Sequence, residues 1–308
     1  MILGLALSSI ASNALWLALG RFIIGIASGL ISTSAMLGLI TTIPDSHKQN
    51  APQLSSIITV IGFGLGPFIG GLIAQFSNQP LVTPYLPVIA AAILCFLGLF
   101  LVKVPQFKVQ PFSIAPRLEI PAIQHHSLFF IAGLTAFSAF GAFSLFASLS
   151  PSFVKDLIPW HGPLVSGSAI ASILLVSAVV QFSAKSLLPA KSLILGLITL
   201  VVSFVLLGLC MSMQWSILFF ISDILVGVGH GLGLLGAFGL IHQMTTTDNR
   251  AAVMSTYLFI GYLGTIVPII AVGYLADHFG LTTGVLGFCL GVGLLCLALI
   301  FWHKKISS

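Results

Sequence analysis

Apolar runs close to the ~20 residues needed to cross a bilayer recur along the whole of this chain, parted by short polar breaks. No other feature constrains folding as strongly. In hydrocarbon every backbone N–H and C=O must find its partner inside the protein, and continuous apolar runs without alternation satisfy that only as helices. Full spans are placed at about 14–42, 53–76, 83–103, 127–150, 163–188, 191–213, 216–244, 251–276 and 281–303, with an apolar stump at 1–11 too short to span. Charged residues make up 6% of the 308 and the mean hydropathy is +1.17, whereas a soluble domain carries about 25% charged residues. The fold class is therefore an all-α polytopic membrane protein, with loops too short to house a soluble domain.

The longest connector, 104–126, holds Pro105, Pro111, Pro116 and Pro121 with Lys108, Arg117, Glu119, His125 and His126. It reads as a solvated linker between two bundles, so the chain divides into 1–103, the linker 104–126 and 127–308. If that linker is cytoplasmic, alternate loops put Lys48, Lys103, Lys108, Arg117, Lys185, Lys191, Arg250, Lys304 and Lys305 on the cytoplasmic side, against Lys155 outside. This positive-inside bias orients the chain with its C-terminus in the cytoplasm of a cell whose plasma (inner) membrane it spans. The net charge of +5 then reflects topology and contact with the lipid bilayer, and nucleic-acid binding is not implied. Cys95, Cys210, Cys289 and Cys296 all fall in spans without Cys-x2-Cys spacing and read as core thiols. The first twenty residues carry no Lys or Arg, so a signal peptide is not indicated.

Within this apolar background, residues 21–29 read RFIIGIASG and residues 223–231 read DILVGVGHG, an embedded charge followed by Gly-x3-Gly at an offset of 202. An intramembrane charge is a functional-site hypothesis by default, and repeat-related charges point to an internally duplicated protein. Gly25, Gly29, Gly227 and Gly231 are then expected on helix-packing faces. The same offset, within one residue, pairs Pro67 with Pro268, Gly71 with Gly273 and Lys103 with Lys305. Projected backwards, it implies that a stretch of about 75 residues, holding two helices and most of a third, precedes Met1 in a twelve-helix form.

The segment GFGLGPFIGG places Gly62, Gly66, Pro67, Gly70 and Gly71 in one helix. The glycines clear a face for close helix approach, and the proline removes a backbone hydrogen bond, as suits a hinge or seal. With this pattern the chain resembles the major facilitator superfamily, and in particular its drug:proton antiporter branch, whose fifth helix carries such a signature. The fourth-helix signature is matched by Leu17, Leu19, Arg21, Gly25 and Gly29. The resemblance implies two pseudo-symmetric six-helix bundles, here lacking roughly the first two and a half helices. Residues 1–103 then hold part of helix 3 and helices 4–6, 104–126 the cytoplasmic linker, and 127–308 helices 7–12. It further implies alternating access around a central cavity, a monomer, Arg21 in proton coupling and the Gly62–Gly71 motif in export. The loop signature that joins the second and third helices in this family would lie upstream of Met1, and its counterpart QFSAKSLLPAK lacks the acidic residue and the glycines.

Arg21 and Asp223 each lie about seven residues into their spans, and they are expected to pair across the outer cavity. His230 follows Asp223 by seven residues on nearly the same helical face, as a packing residue or a proton relay. Phe137, Phe140, Phe143 and Phe146 cover a broad face, of which Phe140 and Phe143 are candidate cavity residues together with the hydroxyls of Tyr257 and Tyr262. His242, His278 and His303 read as interfacial. No metal-ligand or nucleophile–base cluster is found within the spans, so neither an enzyme nor a cofactor is indicated. The function expected is proton-coupled efflux of small amphipathic compounds by a secondary transporter, with a truncated or inactive remnant and an uptake carrier for a small metabolite as the alternatives.

Overall fold

The computed structural model describes residues 1–42, 51–101, 118–157, 162–246 and 248–307. Lys48, Lys103, Lys108, Arg117, the prolines 105, 111 and 116, and the 104–117 part of the connector lie outside the described residues. Ten α-helices are described: α1 (Ile2–Ser9), α2 (Ala14–Thr42), α3 (Ala51–Phe76), α4 (Tyr85–Leu99), α5 (His126–Leu157), α6 (Pro163–Ser183), α7 (Pro189–Met213), α8 (Ser216–Gln243), α9 (Arg250–Phe279) and α10 (Leu281–Ser307). Seven of these are long and apolar enough to cross a membrane, while α3 and α4 contribute the shorter apolar stretches Gly62–Phe76 and Tyr85–Leu99.

The helix limits follow local chemistry. Pro163 and Pro189 open α6 and α7, where a missing N–H would have no intrahelical partner. Helix α6 stops at Ser183, with Ala184 capping it by donating to the Val180 carbonyl, and not at 188 as expected; Leu188 is extended (ψ 135°) ahead of Pro189 and leads into α7. Gly162 (φ 134°) and Gly280 (φ 88°) occupy positive-φ positions at the entries to α6 and α10, which suit a residue without Cβ. The fourth helix is a correction to the expected full span at 83–103. Pro84 caps it and Pro87 sits in its first turn, and the helix of 15 residues closes at Leu99 with a turn at Phe100 and Leu101; 102 and 103 lie outside the described residues.

The chain forms two compact units, Met1–Ser113 and Ile114–Ser308. In the first, α1 packs on α2 and α4, and α2 on α3. The α1 segment, expected only as a stump, crosses α2 backbone to backbone: a Cβ on Gly4 would lie 2.9 Å from the Gly20 carbonyl oxygen. In the second unit α5 to α10 enclose a continuous apolar core in which Phe129, Phe146, Leu197, Phe204 and Phe219 are almost fully buried. Consecutive helices run antiparallel, and alternate ones parallel, so α6 lies parallel to α8 and α5 parallel to α9, as their contacts show.

Candidate functional site

Helix α8 carries the second copy of the repeated motif, and its glycines seat it on α6. A Cβ on Gly227 would meet the Ile173 carbonyl oxygen at 2.9 Å, and one on Gly231 the Ser177 carbonyl oxygen at 2.7 Å. Only glycine permits this approach, which brings the polar side chains on either side of the seam together. Asp223 is 3% exposed, and its Oδ2 is hydrogen-bonded to Ser172 Oγ. Two turns along, His230 Nδ1 bonds Ser177 Oγ at 2.8 Å, and Gln181 Nε2 donates to the same hydroxyl at 3.1 Å. On its other side α8 is tied to α7 by Ser222 and Ser203, whose hydroxyls lie 3.0 Å apart.

The Asp223 pair contains a proton-counting constraint. Ser172 Oγ also stands 2.8 Å from the carbonyl oxygen of Ala169, a turn back in its own helix. A serine hydroxyl has one proton and cannot donate to both oxygens. With the proton directed at Asp223, Oδ2 of the carboxylate accepts it; with it directed at Ala169, Ser172 Oγ is an acceptor, and Asp223 completes the chain only as a carboxylic acid. Asp223 Oδ1 has no hydrogen-bond partner among the described residues. A buried carboxyl held in this way can take up or release a proton with a small rearrangement of one neighbour.

The aromatic candidates separate. Phe140 and Phe143 lie beside the His230 ring, at centroid distances of 5.7 and 6.2 Å, and Tyr262 stacks on Phe140 at 5.5 Å with an interplanar angle of 7°. Phe140 also rests in the notch left by Gly261 of α9, where a Cβ would lie 2.9 Å from its ring. Phe146 belongs to the core. Tyr257 is fully buried against Phe238, and its hydroxyl has no partner among the described residues. The two tyrosines thus stand in different surroundings, Tyr262 being 57% exposed.

In the first unit Arg21 is exposed. Its Nη2 donates to the Tyr85 hydroxyl at 2.7 Å, and its guanidinium lies 5.6 Å from that ring's centroid. Arg21 and Asp223 are each the eighth residue of their helices, but each finds its partner within its own unit. A Cβ added at Gly25, Gly29, Gly62, Gly66 or Gly70 would meet nothing within 4 Å. The Gly-x3-Gly of α8 is therefore a packing seam, whereas its counterpart in α2 opens onto space among the described residues.

Ser172, Ser177 and Gln181 were not singled out from the sequence. Gln181 offered a signal, as an amide inside an apolar span four residues after a serine. The serines did not, since many in these helices bond only their own preceding turn, as Ser168 does to the Leu164 carbonyl.

Residues 1–189 match the family model described as Major Facilitator Superfamily. The chain belongs to this superfamily. It is a multi-pass membrane protein of a family of transporters. Among solved structures it is similar to a bacterial homolog of the human lysosomal transporter Spinster, inward-facing and unoccupied, with a TM-score of 0.70 at 15% identity over 99% of this chain and 80% of that one. The occupied form of the same protein gives 0.69 at the same identity and coverage. The Escherichia coli fucose:proton symporter is similar at a TM-score of 0.51 and 18% identity, over 100% of this chain and 81% of that one. At these identities the likeness is one of fold. A search of curated proteins gives no match.

Proposed function

We propose that this superfamily member is a secondary active transporter that works by alternating access, couples to protons through Asp223 and exports small amphipathic compounds. The observation that carries the proton coupling is the Ser172 hydroxyl shared between the Ala169 carbonyl and the Asp223 carboxyl. No cation pairs with Asp223 among the described residues, and its hydrogen-bond partner there is the Ser172 hydroxyl of α6. An ionised carboxylate there is held by one neutral donor, so the charged and neutral forms suit different surroundings, which is what a coupled transporter needs. The stacked Phe140 and Tyr262 beside His230 supply an apolar, aromatic surface for an amphipathic substrate. Arg21 joins the substrate and proton pathway on the family resemblance, and the Gly62–Gly71 helix serves as hinge or seal. The transporter acts as a monomer in the plasma (inner) membrane, with its C-terminus in the cytoplasm.

The test is transport in proteoliposomes with a pH-sensitive dye inside and a panel of amphipathic dyes outside. The parent is expected to move protons against dye in opposite directions. Asp223→Asn is expected to abolish proton movement while dye-for-dye exchange continues. Proton movement that persists in Asp223→Asn rejects the assignment of Asp223, and movement of both species in the same direction rejects export in favour of uptake.

A further inference from the structure

The outer face of the second unit carries an apolar groove of about 280 Å³ between α7 and α10. Val201, Val205 and Gly208 line it from one helix, and Leu290, Gly293 and Leu297 from the other. Its walls face outward, Val205 being 57% and Leu290 65% exposed. The two glycines make the groove: a Cβ on Gly208 would stand 3.6 Å from Leu286, and one on Gly293 3.8 Å from Phe204, so neither helix fills the seam. The volume falls below the ~300–1,000 Å³ of pockets that enclose drug-sized ligands, and suits a slim apolar chain lying along the seam.

The ends of these two helices supply the second part of the site. The contacts Gly208–Leu286 and Gly293–Phe204, and the Phe204–Phe288 ring pair, fix an antiparallel register. That register brings Lys191, in the first turn of α7, level with Lys304 and Lys305 in the last turn of α10. All three lysines are exposed, and neither helix contains an acidic residue. Trp302, next to them and 37% exposed, marks the headgroup level at which tryptophan concentrates. Seven residues separate Lys304 from Leu297 and fourteen separate it from Leu290, or roughly 10 and 21 Å at ~1.5 Å per residue. One leaflet of a bilayer, headgroup included, is about 20–22 Å deep.

We infer that this face is a binding site for an anionic phospholipid, whose headgroup phosphate sits among Lys191, Lys304 and Lys305 and whose acyl chain lies in the α7–α10 groove. Charge selects the headgroup, and the missing side chains of Gly208 and Gly293 admit the chain. The site shares no residue with the α6–α8 seam.

Native mass spectrometry of the full chain, released from nanodiscs of equimolar phosphatidylglycerol and phosphatidylcholine, tests the site. The parent is expected to retain phosphatidylglycerol preferentially. Lys191→Gln with Lys304→Gln is expected to lower that retention at least about tenfold, since each juxtamembrane lysine contributes about fivefold. Both lysines are exposed, so the double variant folds, which its melting temperature in lipid-free detergent verifies. Gly208→Leu, which occupies the groove, is expected to lose bound lipid of either kind. Retention of phosphatidylglycerol unchanged in the lysine variant, or equal retention of phosphatidylcholine by the parent, overturns the inference. So does a dimer that Gly208→Leu dissociates without changing lipid retention, because the groove would then hold a second copy.

Discussion

At the scale of single residues, the α6–α8 seam depends on hydroxyls that reach across and not merely back along their own helix. Ser177 Oγ serves both His230 Nδ1 and Gln181 Nε2, two polar groups in a membrane-spanning bundle. Interhelical hydrogen bonds in membranes average ~0.6 kcal/mol and reach about 1.7. Ser177→Ala removes one such bond, to His230, together with the bond from Gln181 within α6, and leaves a buried imidazole nitrogen without its partner, so a loss of about 1–2 kcal/mol is expected. Ser168→Ala, nine residues earlier in the same helix, removes only a bond to its own preceding turn at Leu164 and is expected to be neutral within ~0.5 kcal/mol. Thermal unfolding of both variants in the same detergent checks the contrast; equal losses would mean that the cross-helix bond contributes nothing. Asp223 and His230 were legible in the sequence because a charge and an imidazole stand out against apolar neighbours. Their partners were not, since which way a serine faces depends on helix rotation, which an almost uniformly apolar span does not encode.

At the scale of helices, the same Gly-x3-Gly spacing has two outcomes. In α8 it places Gly227 and Gly231 against the backbone of α6, while in α2 a Cβ on Gly25 or Gly29 would meet nothing within 4 Å among the described residues. Spacing sets which residues share a face, but the neighbour decides whether that face is a seam. Gly231→Ala must push the Ser177 backbone away from its present 2.7 Å approach, and a destabilisation of about 1–3 kcal/mol is expected, the cost of overpacking a tight contact. Gly291→Ala in α10, where a Cβ meets nothing within 4 Å, is expected not to lower the melting temperature. If both alanines behave alike, close packing is not what fixes α6 on α8. The positions of the long helices were readable from hydropathy to within a few residues, as for α2 at Ala14–Thr42 against an expected 14–42. The fourth was misread because hydropathy does not register how Pro84 and Pro87 set the start of a helix, nor the turn at Phe100. The span expected at 127–150 agrees with the apolar stretch Ile123–Ser148, and the α5 helix continues past it to Leu157.

At the scale of the whole molecule, basic residues decide which way the second unit stands in the membrane. Its helices alternate in direction, so the end of α6, the start of α7, the end of α8, the start of α9 and the end of α10 share one face. Lys185, Lys191, Arg250, Lys304 and Lys305 all lie there. The opposite face carries the α7–α8 turn at Gln214 and the α9–α10 turn at Gly280, with no basic residue between Cys210 and Ile217 or between Phe279 and Gly284. Lysine and arginine close to span ends are retained in the cytoplasm, so the proposed orientation puts Thr282 outside and Lys305 inside. In a background with Cys95, Cys210, Cys289 and Cys296 replaced by serine or alanine, a membrane-impermeant maleimide added to intact cells is expected to label Thr282→Cys and to spare Lys305→Cys until the cells are permeabilised. The two positions stand at opposite ends of one helix, 23 residues or about 35 Å apart at ~1.5 Å per residue, enough to cross the hydrocarbon core of about 30 Å. The opposite labelling pattern would invert the bundle and, with it, the leaflet from which the lysine face at α7 and α10 draws its lipid. Labelling of both positions in intact cells would instead mean that α10 does not cross the bilayer, against its 26-residue apolar length.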